Sequence, residues 1–192
     1  MNLIQFFDLD GNRAVAAIQN DVARTVIGAT SVYDLTIEAL AGLGGLAALI
    51  EAKGLGATVD RGAILAEGRM LSPIDHPDPA HLYVTGTGLT HLGSAATRDA
   101  MHKANGTKTE NDLTDSMKMF QMGLENGKPA DGEKGVQPEW FYKGNGYSVV
   151  RPGHPIPSPG FALDAGEEPE IAGIYVIDHN GQPRRLGFAL AN

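Results

Sequence analysis

The sequence of 192 residues contains no cysteine. This absence excludes disulfides, a thiol nucleophile and a zinc site with thiolate ligands. Basic residues are also few, because 15 Lys and Arg stand against 23 Asp and Glu and give a net charge of −8. Nucleic acids and anionic membranes attract basic patches, so we expect neither as a main partner.

No apolar run is long enough to cross a membrane. Residues 35–50 are rich in Leu and Ala, but Glu38 and the glycines at 42, 44 and 45 interrupt them. The N-terminal residues 1–5 (MNLIQ) lack the basic region that precedes the apolar core of a secretory signal. We therefore expect a cytoplasmic protein without a membrane partner, and the lack of cysteine is compatible with that compartment.

The composition is typical of a globular protein, with 42% hydrophobic and 20% charged residues. Helical and strand patterns are mixed along the chain, which predicts the α+β class. Prolines at 73, 77 and 79 lie close together, and such clusters often separate domains. We place a boundary there, between a small N-terminal domain (residues 1–72) and a second domain (residues 78–192).

Turn residues and caps predict the elements of the first domain. Apolar residues 3–7 and 13–18 flank the sequence DLDGN, which predicts a hairpin. Asp8 and Asp10 resemble the start of a calcium-binding loop, but the glycine comes too early, so we expect a plain turn. Ser31 begins a capping box, and one helix is expected over residues 35–52, ending at Gly54.

The second domain is predicted to alternate strands and helices. We expect a strand at 81–85, short strands at 148–150 and 156, and a return strand at 184–190 after the Asn-Gly turn at 180–181. Helices are expected at 95–103 and 112–125. The glycines of residues 86–94 match neither the dinucleotide-binding nor the P-loop spacing, and His91 among them can be structural or catalytic.

Glu168 and Glu170 form the most informative pair of side chains. In a β-strand, residues two apart share a face, so their carboxylates would lie close together and repel. A cation usually compensates such a pair, and oxygen ligands without Cys favour Mg²⁺, Mn²⁺ or Ca²⁺. The alternative is an acidic, solvated segment leading into the apolar strand 174–177.

Five segments between residues 88 and 192, taken in order, resemble motifs of the fumarylacetoacetate hydrolase family. They are residues 88–95 (GLTHLGSA), 138–143 (PEWFYK), 151–156 (RPGHPI), 168–171 (EPEI) and 186–192 (LGFALAN). The similarity is closest to the branch of sugar-acid dehydratases that act on 2-keto-3-deoxy acids. Residues 1 to about 70 match only as the variable N-terminal domain of that family.

The resemblance implies a fold and a reaction. Residues 78–192 would form the first part of a mixed-β catalytic domain. Ser94 stands where many members have the histidine that activates water, and His91 stands where they have a tyrosine. These departures favour a lyase over a hydrolase. The family's third metal carboxylate follows the asparagine matched by Asn192, so we expect the chain to be an N-terminal fragment.

The resemblance also implies roles for single residues. Glu168 and Glu170 would hold Mg²⁺ or Mn²⁺ with a third acid, and a 2-oxo sugar acid would bind the ion through its carboxylate and keto oxygens. Dehydration of a pentonate would then follow from removal of the C3 proton and loss of the C4 hydroxyl. Listed by role, the catalytic candidates are His91, Ser94 and Lys143, and the substrate-binding candidates are Asn145 and Ser148.

Several alternatives remain open from the sequence. Lys143 can be a surface lysine lying over Trp140 instead of an active-site residue. The same family includes carbon–carbon hydrolases and decarboxylases, and the fold can also serve as a non-catalytic module that binds a metabolite. The resemblance suggests a homodimer or a larger assembly.

Overall fold

The computed structural model of the protein describes residues 1–42, 44–87, 100, 115–126, 129–136, 140–163, 167 and 169–192, without the side chain of residue 116. The chain forms two compact units, Met1–Leu82 with Gly146–Asn192, and Tyr83–Asn145. Both contain antiparallel strands and helices, so the α+β class is confirmed. The division into residues 1–72 and 78–192 stays a prediction.

The first unit begins with a four-stranded antiparallel sheet of order β1-β2-β3-β4. Its elements are β1 (Asn2–Phe7), β2 (Arg13–Gln19), β3 (Val22–Val26), α1 (Val32–Ala41), α2 (Gly45–Lys53), β4 (Leu55–Thr58) and α3 (Arg61–Ala66). The predicted first hairpin is therefore confirmed. The segment 59–65, which has no clear pattern in the sequence, is mainly the short helix α3, capped by Asp60.

Strand β2 is buried on both of its faces. Val15 and Ala17 pack on one face with Leu35 of α1 and Ile50 of α2. Ala16 packs on the other face, in a cluster that includes Ile64 of α3. Because side chains alternate along a strand, this burial requires apolar residues at successive positions of β2.

Gln5 of β1 is fully buried and joins three segments of the first unit. Its side-chain Nε2 donates to the Ser72 carbonyl (2.8 Å), and its Oε1 accepts from the Val32 amide (2.9 Å). Its backbone carbonyl accepts from the Leu71 amide at 2.9 Å. Both ends of a buried amide are thus satisfied, which removes the cost of burying it.

The single helix expected over residues 35–52 is wrong, because two helices occupy this stretch. Ser31 caps α1 as predicted, since its Oγ accepts from the Asp34 amide at 2.9 Å. Helix α1 ends at Ala41, and α2 begins at Gly45. Gly45 has a φ of +72°, which glycine adopts without strain. Among the described residues no single helix is long and apolar enough to cross a membrane, although α1 and α2 together, across their bend, have the length and composition.

The first hairpin turn is built around the Asp8 side chain. Its Oδ1 accepts from the backbone amides of Asp10 (2.9 Å) and Asn12 (2.8 Å). Gly11 supplies the positive φ of +82° that the turn requires. These bonds form a plain turn, as we expected.

The first unit continues with two short 3₁₀ helices, Pro79–His81 and Gly146–Ser148, and a hairpin of β7 (Glu170–Ile177) and β8 (Pro183–Ala191). The predicted strand 81–85 is wrong at its start, because His81 lies in a 3₁₀ helix capped by Asp78. The strands predicted at 148–150 and 156 are not formed. A Cβ on Gly146 would lie 2.7 Å from the Pro79 carbonyl oxygen. Only glycine therefore allows residues 146–148 to lie this close to the other 3₁₀ helix.

The second unit contains a two-stranded antiparallel sheet and a helix. Its described elements are β5 (Tyr83–Thr87), α4 (Asp115–Asn126) and β6 (Trp140–Asn145). Helix α4 confirms most of the helix predicted over residues 112–125. The helix predicted at 95–103 lies outside the described residues, except for residue 100.

The predicted hairpin around Asn180 is confirmed, and its turn repeats the construction around Asp8. The Oδ1 of Asp178 accepts from the backbone amides of Asn180 and Gln182, both at 2.9 Å. Its Oδ2 accepts from Arg184 Nε at 2.7 Å, and the side chain is only 5% exposed. The amide of Gln182 and the Arg184 guanidinium lower the pKa of the Asp178 carboxyl.

We predict that replacement of Asp178 by Asn lowers stability at neutral pH more than at low pH. The lowered pKa means that the carboxylate contributes stability above its unfolded pKa, and this contribution is lost as the pH falls through the folded pKa. Thermal unfolding at pH 7 and pH 3 measures the difference. Asp10→Asn, in the other turn, is the control, and an Asp178→Asn effect equal at both pH values would contradict the prediction.

Candidate metal and substrate site

Glu170 is the first residue of β7 and lies opposite Ala191 of β8. Its side chain is exposed. The second member of the predicted pair, Glu168, lies outside the described residues. The strand that would place both carboxylates on one face thus begins at Glu170 itself, so the expected pairing of the two carboxylates stays a prediction.

A second glutamate lies at the same end of this hairpin. Glu167 accepts a hydrogen bond from the side-chain amide of Asn192, with 3.4 Å between Oε2 and Nδ2. This contact joins the segment that leads into β7 to the residue that follows β8. The acidic segment and the segment 186–192 therefore meet, although they are far apart in the sequence.

Oxygen ligands lie at this end of the hairpin, but the described residues alone do not complete a metal site there. Among the described residues, no three His, Asp or Glu side chains are close enough together to hold a metal ion. Glu168 lies outside the described residues and is therefore not among the side chains compared. The carboxylates of Glu167 and Glu170 are hard oxygen donors, which is the ligand type that Mg²⁺ and Mn²⁺ prefer.

Lys143 lies in β6, in the second unit, and its side chain is exposed. Its Nζ is 5.7 Å from the centroid of the Phe141 ring, so the aromatic partner is Phe141 instead of the Trp140 that we considered. Both side chains lie over Gly86 of β5. A Cβ on this glycine would be 2.6 Å from the Phe141 ring and 2.9 Å from Lys143 Cε.

Asn145 ends β6 opposite Tyr83 and is half-buried. Ser148 ends the second 3₁₀ helix and is exposed. Lys143 and Asn145 thus belong to the second unit, whereas Ser148 and Glu170 belong to the first. The remaining candidates, His91 and Ser94, lie outside the described residues.

Polar rings cluster around Asp78, which the sequence pattern did not predict. His81 Nδ1 lies 2.9 Å from Asp78 Oδ2, and His76 Nδ1 lies 2.8 Å from the Asp78 carbonyl oxygen. The two imidazole centroids are 5.3 Å apart, and the Tyr33 ring packs edge-on against His76 at 4.6 Å. The available signal was Asp78 before a proline, which is a typical helix cap.

The bonding of Asp78 explains this cluster as a cap. The Ala80 amide donates to Asp78 Oδ1 at 3.0 Å. This bond, followed by the neighbouring His81, lowers the pKa of the Asp78 carboxyl. The carboxylate therefore holds the start of the 3₁₀ helix, and His81 closes the turn.

An open polar cleft of about 530 Å³ lies in the first unit, beside the N-terminus. The β2–β3 turn and Arg61 line it, and Arg61 is paired with Asp21 at 2.6 Å. None of the site candidates that the structure describes (Lys143, Asn145, Ser148 and Glu170) lines it. The cleft therefore adds nothing to the candidate site.

No protein-family model, curated protein or solved structure matches this chain.

We predict that Gly86→Ala destabilises the second unit. The added methyl would meet the Phe141 ring, and overpacking of this kind typically costs about 1–3 kcal/mol. Urea unfolding followed by Trp140 fluorescence measures the change. Gly123→Ala in α4, in the same unit, is the matched control, because a Cβ there meets nothing within 4 Å. Equal stability of the two variants would contradict the prediction.

Proposed function

We propose that this chain belongs to a metal-dependent hydro-lyase of the fumarylacetoacetate hydrolase family. Its reaction would be the dehydration of a 2-keto-3-deoxy sugar acid, a pentonate. The observation that carries the proposal is the ordered series of five motif segments between residues 88 and 192. Under this proposal residues 1–72 are the N-terminal domain and residues 78–192 belong to the catalytic domain.

The register of the last hairpin supports the proposal. The last two motif segments contain Glu170 and Asn192, and the pairing of Glu170 with Ala191 brings these segments to one end of the hairpin. The bond from Asn192 to Glu167 adds a third polar group. A metal site needs ligands from segments that the fold brings together, and these two segments meet.

The donor set fits a hard divalent cation. Glu168 and Glu170 would hold Mg²⁺ or Mn²⁺, and the ion, when bound, would polarise the 2-keto group of the substrate and so acidify its C3 proton. We assign the proton transfers to His91 and Ser94. Removal of the C3 proton by a base and donation of a proton to the C4 hydroxyl would release water.

Lys143 and its neighbours would orient the substrate. Lys143 carries a positive charge at the end of an exposed side chain whose stem lies along Phe141 and Gly86. An ammonium group can pair with the substrate carboxylate, while Asn145 and Ser148 can bond to its hydroxyl groups. The packing at Gly86 limits where the Lys143 stem can lie, which favours a positioning role.

Ser94 is what favours a lyase over a carbon–carbon hydrolase. The hydrolases of the family use a histidine at this position to activate water, and Ser94 is a far weaker base. The lack of cysteine agrees with the cytoplasmic location that we propose for the reaction.

We predict that Glu168→Ala and Glu170→Gln each lower kcat/KM by about 100-fold or more, because losing a metal ligand should cost at least as much as losing a residue that orients such a ligand. Turnover of 2-keto-3-deoxypentonates is measured with Mg²⁺, with Mn²⁺ and with EDTA. Glu51→Gln, on the exposed side of α2, is the matched control. Activity that neither the substitutions nor EDTA alters would contradict the metal site.

The products separate the proposal from its alternatives. Loss of water gives a semialdehyde with the carbon number of the substrate, whereas cleavage gives two fragments and decarboxylation gives carbon dioxide. Mass spectrometry of the reaction mixture distinguishes these results. Binding of the 2-keto acid without any product would instead support a non-catalytic module.

A further inference from the structure

His76 and His81 form a pair of imidazole rings in the first unit, apart from the candidate residues of the proposed reaction. Four residues separate them in the sequence, and their ring centroids are 5.3 Å apart, with an angle of 42° between the planes. His76 is half-buried and packs against the Tyr33 ring, whereas the side chain of His81 is 66% exposed. One ring is thus held by packing, and the other is open to solvent.

Asp78 bonds to both rings. Its Oδ2 lies 2.9 Å from His81 Nδ1, and its carbonyl oxygen lies 2.8 Å from His76 Nδ1. The short helix needs neither contact, because Oδ1 caps it through the Ala80 amide and the carbonyl accepts from the His81 amide at 3.0 Å. The two ring contacts therefore require an explanation beyond the cap.

Both contacts favour the same form of the imidazole ring. Carboxylate and carbonyl oxygens only accept hydrogen bonds, so each ring donates to Asp78 through Nδ1–H and, when neutral, has its lone pair on Nε2. Among the described residues, neither Nε2 has a hydrogen-bond partner. The Asp78 amide, 3.0 Å from His76 Nδ1, would donate only if His76 carried its proton on Nε2 instead. A ligand at Nε2 would select the first form.

We propose that His76 and His81 together bind one divalent transition-metal ion of the Zn²⁺ class through their Nε2 atoms. Imidazole is a ligand that suits Zn²⁺, Ni²⁺ and Cu²⁺. A histidine that binds such an ion almost always donates its other ring N–H to a carboxylate or a backbone carbonyl, and Asp78 supplies one acceptor of each kind. The four intervening residues also lie within the range of roughly three to five that is typical of paired zinc histidines.

The separation of the rings agrees with a shared ion. Two imidazoles on one tetrahedral ion, with metal–nitrogen distances of about 2.0 Å, would have ring centroids roughly 5 Å apart, and the observed distance is 5.3 Å. The Tyr33 ring, edge-on to His76 at 4.6 Å, restricts rotation of that imidazole. The spacing of the rings therefore allows one ion to join the two Nε2 atoms.

The site would be open and separate from the proposed Mg²⁺ site. No third His, Asp or Glu among the described residues is close enough to complete a site, so water or an added ligand would fill the other positions, as in zinc sites that are not purely structural. The hard carboxylates of Glu168 and Glu170 favour Mg²⁺ or Mn²⁺, whereas two imidazoles favour Zn²⁺. The inference therefore does not depend on the proposed reaction.

Isothermal titration of the full chain with Zn²⁺ tests the pair. We expect His76→Gln and His81→Gln each to raise the Kd for one Zn²⁺ by about tenfold or more, because each removes one of two protein ligands. His179→Gln is the matched control, since His179 is also exposed but lies in another turn, with its Nε2 3.0 Å from Asn180 Nδ2. Glu168→Ala should likewise leave this Kd unchanged. Absence of Zn²⁺ binding, or an unchanged Kd in either His76→Gln or His81→Gln, would overturn the proposal.

Asp78→Asn tests the orienting role of the carboxylate. Asparagine still caps the helix through its Oδ1, but its NH₂ group accepts no bond from His81, so the Kd for Zn²⁺ should rise about 10- to 100-fold with little change in Tm. Nitrogen NMR of the rings gives a second readout. Zn²⁺ should shift the Nε2 resonances of His76 and His81 while their Nδ1 protons persist. A Zn²⁺ shift at Nδ1 instead, or an unchanged Kd in Asp78→Asn, would overturn this arrangement.

Discussion

The buried amide of Gln5 connects the segments on which the first unit depends. It links β1 to the start of α1 and to residue 72, and its backbone carbonyl holds Leu71. A buried amide left without partners would be costly, so the segments that satisfy it are held in one arrangement. This arrangement places α1 over the sheet, where its apolar side covers Val15 and Ala17.

In the last hairpin, one turn determines both the pairing of the strands and the face on which each side chain lies. Asp178 fixes the turn through two backbone amides and Arg184, and the turn sets the register of β7 and β8. A shift of one residue would exchange the two faces of each strand. The same register therefore brings Glu170 beside Ala191 and collects the exposed apolar side chains on one face.

Local patterns predicted the hairpins well because the necessary signals are adjacent in the sequence. Asp8 and Asp178 each accept bonds from residues two and four positions later, so nothing distant is required. The break between α1 and α2 was harder to predict, because apolar residues continue through the glycines. The 3₁₀ helix at Pro79–His81 was missed because its cap, Asp78, acts together with His81, a histidine that we had placed in a strand.

The sequence by itself determined the turns, the helix cap at Ser31 and the chemical type of the candidate ligands, since each depends on neighbouring residues or on side-chain chemistry. Only the tertiary structure decided that Glu167 contacts Asn192, that Phe141 and Lys143 lie over Gly86, and that one face of the last hairpin is packed while the other is exposed. These relations join residues that are distant in the chain. They follow from strand pairing and packing, which act through space and leave no fixed spacing in the sequence.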